Sequence, residues 1–466
     1  MSTLEILHWN DVHGRWDGLA RLSARAREIR ETAGHPVLLL DGGDVEENSV
    51  RLSALSYGAA GWRLLGAAGV DAAVAGNGGL LRYGPAQLPR YAEALGSPPL
   101  VCDLETSDGS VPEGAAPSTM VSAGDLTVGI IGITDFYHQY EVFGLRERGR
   151  ITAVRREATR LRRAGADVVV VLSHAGINND RGLSWSVRDK VDLIVGGHTH
   201  DLLTDGERDQ GVPIVQAGSF AEHLGRVVLE VDGSGVRVVD MTLERVGAET
   251  SPDPAVLDAL VAAEQDVEAW LDEPVGHLDE PADHDAADVS AAAQLVCRAL
   301  LEHSPGDFAL LIAAHCEDGL PAGLVRRRHV WAATSSPGNP ATATLTGAQV
   351  RSMLATGLSD AYATHTPRTF RGRPSGRLQM VGISVDGDRV EVGGRPLEDD
   401  RSYRVTASDL ELAAYGGLLT EEPLDVRHDS TVILPEVLEE FLASRFRTAG
   451  GAGSRDARRV GSPASR

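Results

Sequence analysis

The feature that most constrains this chain recurs five times in its first half: a short apolar run ends and a polar, glycine-bearing cluster follows. Asn10-Asp11-Val12-His13-Gly14 comes after Leu4–His8, and Asp41-Gly42-Gly43-Asp44 after Pro36–Leu40. Gly76-Asn77-Gly78-Gly79 comes after Ala72–Ala75, Ser173-His174-Ala175-Gly176 after Asp167–Leu172, and Gly196-Gly197-His198-Thr199-His200 after Leu193–Val195. The runs are rich in Val, Ile and Leu, which suits strands buried on both faces. Similar runs stand at Leu126–Ile133 and Val212–Ala217, and helical patterns at Leu19–Arg30, Ser53–Leu65 and Ile151–Ala164 lie between them. Such alternation predicts an α/β domain. In an open α/β sheet the C-terminal strand ends share a crevice where ligands bind. Five clusters on that rim therefore point at one place.

The residue types suit divalent cations. Asp11 and His13 stand two apart, as do His198 and His200, so an extended backbone would aim each pair to one side. Carboxylate, imidazole and amide oxygen together favour Mn, Zn, Fe or Co over Ca or Mg. Asp11, His13, Asp44, Asn77, His174, His198 and His200 are expected to converge on one dinuclear site, with Asp44 the natural bridge. Ions about 3.5–4 Å apart clamp a phosphoryl group and lower the pKa of a water that attacks phosphorus in line. No protein nucleophile is needed. A single His at a strand end is an ordinary turn or core residue; the ordered set of clusters is what carries this reading.

The rest of the chain sets bounds. Its 466 residues are enough for two or three domains. A formal net charge of −23 repels a phosphate backbone, so a nucleic-acid polymer is not an expected partner, whereas a small phosphate ester drawn by local cations is. Cys102, Cys297 and Cys316 are odd in number and widely spaced, which argues against a disulfide framework. No signal-like segment and no membrane-spanning apolar run is visible, so the cytoplasm is the expected compartment and no membrane an expected partner. Residues 1–245 read as the first domain and 246–288 as a helical linker, with a helix over 252–272 and a Pro/Asp/His-rich stretch over 274–288. Residues 289–446 read as a second domain, with a helix near 289–303, strands at Phe308–Ala313, Leu378–Val385 and Arg389–Val392, and a helix near Pro435–Arg445. Residues 447–466 read as a disordered Gly/Ser/Arg-rich tail.

These clusters, together with Ile6–Gly14, Leu38–Asp44, Gly76-Asn77, Leu172–Gly176 and Gly197–His200, resemble the 5′-nucleotidase family of calcineurin-like metallophosphoesterases over about residues 4–225. The resemblance implies an α/β fold: a four-layer αββα sandwich followed by a smaller α+β C-terminal domain that binds the nucleoside and rotates. It implies that Asp11, His13, Asp44 and His200 hold one metal and Asp44, Asn77, His174 and His198 the other. Asp44 and Asn77 would thus serve catalysis, and the substrate would be a small phosphorylated metabolite of nucleotide type.

The departures from that family are specific. Its motif reads Gly-Asn-His-Glu and then Phe-Asp, whereas this chain reads Gly76-Asn77-Gly78-Gly79-Leu80-Leu81. The absent His and Asp stabilise the transition state in the family and help the leaving oxygen depart. The Gly-Gly-Ile-Arg segment, whose Arg grips phosphate, corresponds to His315–Gly323 and has no Arg, and the later Gly-Gly-Asp-Gly-aromatic segment appears as Tyr415–Leu419. Ala343–Val350 and Ser402–Val405 keep the family's scaffold pattern. Secondary candidates are Arg82 or Tyr83 as substitutes for the missing pair, His138 and Tyr140 in an aromatic loop, Phe370 and Tyr415 as stacking groups, His223 at the cleft, and His8 and Trp9 behind the ligands.

Two readings follow: a metal-dependent phosphoric ester hydrolase with reduced activity, or an impaired relative that binds a metal or ligand in a regulatory role. General acid catalysis is worth about 10²–10⁴-fold. Restoring the imidazole with Gly78→His is therefore expected to raise turnover of an alkyl phosphate such as AMP. Unchanged turnover would show that the pocket is built differently.

Overall fold

Alternation along each strand decides the layering. In β1 (Ser2–Trp9), Leu4 and Ile6 face one side and Leu7 and Trp9 the other, and all four are buried. In β2 (Val37–Asp41), Leu38 and Leu40 join the first set while Leu39 joins the second. A strand apolar on both faces requires a packed layer on each side.

The computed structural model describes residues 1–208, 211–366, 373–413, 416–420, 423 and 425–449. It forms two compact units that divide between Val267 and Glu268. In the first unit the remaining strands are β3 (Ala72–Ala73), β4 (Leu104–Thr106), β5 (Ser118–Ala123), β6 (Leu126–Thr134), β7 (Leu145–Glu147), β8 (Val168–His174), β9 (Leu193–Val195), β10 (Ile214–Val215), β11 (His223–Asp232) and β12 (Gly235–Arg245). One five-stranded sheet runs β12-β11-β1-β2-β3 and a second runs β10-β9-β8-β6-β5, while β4 and β7 pair separately. Between the sheets lie Leu4, Ile6, Leu38, Leu40, Val128, Val168 and Val170. The outer face of the first sheet is covered by helices α1 (Trp16–Thr32), α2 (Arg51–Leu55), α3 (Ala59–Ala67), α4 (Asn77–Tyr83) and α5 (Leu88–Leu95), which bury Leu19, Leu22, Trp62, Leu80 and Tyr91. The outer face of the second is covered by α6 (Arg150–Arg163) and α7 (Ile177–Val187) through Val154, Leu161 and Leu183. Three apolar interfaces between four layers make the expected αββα sandwich.

The pairs β1–β2, β2–β3, β6–β8, β8–β9 and β9–β10 are all parallel. Their C-terminal ends therefore open on one edge of each sheet, and all five polar clusters stand there. The register holds the ends level: Trp9 pairs with Asp41, Leu172 with Val195, and Thr134 with His174.

Some elements differ from the sequence pattern. The helix expected over Ser53–Leu65 breaks into α2 and α3 at Tyr57 and Gly58, both with positive φ. The long antiparallel strands β11 and β12 were not visible as apolar runs, because Arg226 and Glu230 interrupt β11 where it faces solvent. Pro274–Leu278, expected within a linker, is a strand that pairs antiparallel with Gly323–Arg326 and buries Val275.

The second unit is a mixed α+β domain. A five-stranded sheet orders Leu378–Val381, Phe308–Ile312, Ser402–Ser408, Pro340–Thr346 and Arg427–His428. Helices Ala291–His303 and Leu434–Ala449 bury Leu295, Val296, Leu438 and Leu442 in a core that includes Leu311 of this sheet. The other sheet face packs Val350, Met353 and Leu354 of helix Gly347–Gly357. Among the described residues no helix is long and apolar enough to cross a membrane. The stretch from 450 onward, Phe370 and Tyr415 lie outside the described residues.

His8 shows how tightly β1 and β11 meet. Its ring is fully buried, and burial pushes its pKa down to about 3, so it stays neutral. It stands opposite Gly225, where an added Cβ would lie 2.0 Å from the His8 Nε2. Overpacking of this kind costs about 1–3 kcal/mol. Gly225→Ala is expected to lower Tm by several degrees in a thermal scan, and an unaltered Tm would show that the ring has room to move.

Candidate metal centre

His174 is the last residue of β8, but the other expected ligands lie beyond the strands that precede them. β1 ends at Trp9 and β9 at Val195, and Asp11, His13, Asp44, His198 and His200 have φ of +52°, +46°, +53°, +78° and +58°. The extended geometry expected for Asp11/His13 and for His198/His200 is thus corrected: these side chains leave left-handed turns. Non-glycine residues pay about 1–2 kcal/mol to stand there, so the surrounding structure must hold them. The loop hydrogen bonds do so. Asp11 N donates to the Gly43 carbonyl at 2.9 Å, His13 N to Asp44 at 3.0 Å and Gly14 N to Val45 at 3.1 Å, which zips the loops after β1 and β2 together. Gly76 allows the third loop to close in, since a Cβ there would lie 2.1 Å from Asp44 Oδ1.

Six of the seven expected ligands gather closely. Asp11 is fully buried; its Oδ2 accepts from Asn10 Nδ2 at 2.7 Å and from His198 N at 2.8 Å. Its Oδ1 is buried without a hydrogen-bond partner and faces the Nε2 atoms of His200, His13 and His174 at 3.2, 3.5 and 3.9 Å. His13 and His200 bring their Nε2 atoms to 3.1 Å of each other. His174 Nε2 lies 3.3 Å from Asp44 Oδ2 and 3.2 Å from Asn77 Oδ1. Two potential cation-binding groups emerge, Asp11–His13–His200 and Asp11–Asp44–His174, so in this geometry Asp11 is the shared residue. His198 stands at the edge. Its ring is 5.2 Å from that of His174, and its Nε2 is 3.7 Å from Asp135 Oδ2 and 3.4 Å from the Tyr137 hydroxyl.

Electrostatics argue that a cation belongs here. Burial alone would raise the pKa of Asp11, but charge on His174, the neighbouring rings of His13 and His200 and the Asn10 hydrogen bond hold it far below the carboxylate range. Asp44 is lowered against its own burial, chiefly by His174. Burial would lower His174, yet Asp44 and Asp11 push it up to about 10. Protons on imidazoles thus supply the positive charge that buried carboxylates require. Divalent ions fit the same atoms. The imidazole of His174 is already oriented for it: Nδ1 donates to the Gly42 carbonyl at 2.7 Å and leaves Nε2 toward the carboxylates.

The layer behind the ligands is also ordered. Trp9 Nε1 donates to Asp41 Oδ2 at 2.8 Å, and Asp41 Oδ1 accepts from Gly43 N at 2.9 Å. Trp9 therefore supports the ligand loop, while His8 lies in the core. Gly79, where the family motif carries Glu, leaves room for Glu46: a Cβ there would lie 2.5 Å from Glu46 Oε1, which accepts from Trp62 Nε1 at 2.7 Å.

The secondary candidates fall elsewhere. Arg82 lies over the Tyr83 ring, and the Tyr83 hydroxyl is 3.5 Å from the Ser53 carbonyl. Tyr140 is fully buried, and the His138 side chain is 92% exposed beside Glu141. His223 begins β11, and burial lowers its pKa. In the second unit, His315 is buried against Ser336 Oγ at 2.7 Å, Ser408 Oγ at 3.2 Å and Glu411 Oε1 at 3.1 Å. Sequence reasoning missed Asp135, Tyr137 and Phe220, whose ring packs 5.7 Å from His13 and 5.6 Å from His200. The first two follow β6, a sixth strand end whose cluster lacks a flanking glycine; nothing in the local sequence marks Phe220.

Residues 4–202 match the calcineurin-like phosphoesterase family and residues 274–420 the 5′-nucleotidase C-terminal domain. The metallophosphoesterase YunD of Bacillus subtilis is 23% identical over 459 residues, covering 94% of this chain and 98% of YunD. The 5′-nucleotidase of Bos taurus is 26% identical over 273 residues, covering 50% of this chain and 47% of that protein, so the match spans about half of each. The crystal structure of a 5′-nucleotidase precursor from Thermus thermophilus shares the fold, with a TM-score of 0.53 at 20% identity over 95% of this chain and 97% of that one.

The pKa shifts give a prediction with a definite sign. Without metal, His174 titrates above its free value of 6.5. Its contribution to stability is full below that pH and is lost as pH rises toward about 10. Asp11 and Asp44 contribute above their free value of 3.8 and lose that contribution in stronger acid. A cation has to displace the imidazole protons, so its affinity rises with pH. The Tm gain on adding Mn²⁺ is expected to be several degrees larger at pH 8 than at pH 6. Equal gains at both would remove His174 from the ligand set.

Proposed function

Because this chain belongs to the 5′-nucleotidase family, with a calcineurin-like phosphoesterase domain followed by a 5′-nucleotidase C-terminal domain, we propose that it hydrolyses a small phosphate ester of nucleotide type at a site for two divalent ions. The observation that carries this reading is the bare Oδ1 of Asp11, buried among three imidazole nitrogens and next to the second carboxylate, Asp44. Asp11, His13 and His200 would hold one ion and Asp11, Asp44 and His174 the other, with Asn77 beside the second and His198 at its edge, and Mn, Zn, Fe or Co suit the donor set. When bound, such ions neutralise phosphoryl oxygens and make water a competent nucleophile near neutral pH.

The protein's own groups then do four things. The Gly42 carbonyl sets the tautomer of His174. Gly78 N holds Asp44 Oδ1 at 2.8 Å, which fixes that carboxylate in the plane facing His174. Asn10 ties Asp11 to the loop after β10 by accepting from Ala217 N at 2.9 Å and donating to the Gly218 carbonyl. Phe220 packs its ring against those of His13 and His200. The acidic surface, at −23, supports a small anion drawn by local cations over a nucleic-acid polymer.

Nitrophenyl phosphate tests the metal site alone, because its leaving group departs without help. Turnover is expected with Mn²⁺ or Co²⁺, abolished by a chelator and lowered at least about 10²-fold by Asp11→Asn. Elemental analysis of the active protein is expected to find two transition-metal ions per chain. A single ion would end the dinuclear reading, and turnover that survives chelation would end the metal-dependent one.

A further inference from the structure

The loop after β6 reaches the ligands from a side the five clusters do not occupy. Thr134 pairs in parallel with His174, and Asp135 N donates to the His174 carbonyl at 3.0 Å, so residues 135–137 leave the sheet beside that ligand. The loop is anchored from below. Buried Asp103 accepts from Thr134 N and from Arg150 Nε, both at 3.0 Å, and Arg150 donates to the Thr134 carbonyl at 2.9 Å. The same guanidinium lies 3.6 Å from Asp135 Oδ1, whose other oxygen faces His198. Tyr137 is half-buried; its ring packs 5.9 Å from that of buried Tyr140, and its hydroxyl reaches 3.4 Å from His198 Nε2.

In its first five residues α4 offers no side-chain donor to a leaving group beyond the amide of Asn77, itself an expected ligand. Its first turns carry Asn77, Gly78, Gly79, Leu80 and Leu81, while Arg82 and Tyr83 are turned to each other and to Ser53. A Cβ at Gly78 would lie 3.2 Å from Asp44 Oδ1, so an imidazole there would begin in contact with a ligand.

We infer that Tyr137 donates its phenolic hydrogen bond to the leaving oxygen of the ester, the role left empty on α4. The inference rests on the hydrolase reading above. In the step concerned, water adds its oxygen to phosphorus and the P–O ester bond breaks. The electron pair leaves with the alkoxide oxygen, and the proton it gains is the one released by the attacking water. The phenol stabilises the developing charge and ends protonated, as it began. Tyr137 is a catalytic residue in this account and Asp135 a positioning residue for His198.

A donor of this kind is worth about 10²–10³-fold where charge develops, and it matters more for a poor leaving group than for a good one. The test compares the full chain with Tyr137→Phe on nitrophenyl phosphate and on AMP, with Mn²⁺ present. The ratio of kcat/KM on nitrophenyl phosphate to that on AMP is expected to rise at least about tenfold in the variant. A ratio that stays constant, whether both activities fall together or neither does, overturns the assignment. If the wild-type chain cleaves nitrophenyl phosphate but not AMP, the assignment also fails while the hydrolase reading stands. If it cleaves neither, both fail.

Discussion

A carboxylate oxygen buried without a hydrogen bond is costly unless a positive charge stands beside it. Asp11 Oδ1 is such an atom, and much of the first unit can be understood as the means of keeping it there. Asp11, Asp44 and three histidines are brought together from loops that would not adopt their left-handed turns unaided. Imidazole protons meet the charge requirement when no cation does, at the cost of holding His174 far from its free titration range. The same atoms hold the imidazole protons and form the candidate cation-binding groups.

Behind these side chains lies a set of buried carboxyls with a different task. Burial pushes Asp41 up to about 8 and Asp180 to about 7, despite the hydrogen bonds each accepts. Asp41 holds the Trp9 indole and the Gly43 amide, and Asp180 accepts from Ser173 Oγ. They orient the ligand loops without adding much charge beside the ligands. Burial raises Asp103 as well, to about 6, while Arg150 offsets part of that, and the pair anchors the loop that presents Asp135 and Tyr137. In all three, burial disfavours the charged form, and the donors and the Arg150 guanidinium around them offset only part of it.

The second unit, which matches the 5′-nucleotidase C-terminal domain over residues 274–420, holds a buried polar group around His315. His315 turns inward to Ser336, Ser408 and Glu411, each buried. A closed network of this type rigidifies the ends of the central strands. Arg373 lies 3.1 Å from Glu317, two residues along from His315.

The sequence by itself determined the layers and the membership of the ligand cluster. Strands such as β1, β2 and β8 alternate apolar residues to both faces, and that periodicity demands two sheets with helices outside. The polar clusters that follow them name the residues that gather there, because parallel strands place their ends on one rim. Tertiary structure alone decided the rest. It set the left-handed turns at Asp11, His13, Asp44, His198 and His200, which depend on hydrogen bonds between loops far apart in the chain. It brought Asp135, Tyr137 and Phe220 to the ligands and sent Tyr140 and His138 elsewhere, since a side chain in a loop is aimed by what packs beneath it. Periodicity reports which face a residue takes within a strand, but it carries no information once the chain leaves the sheet.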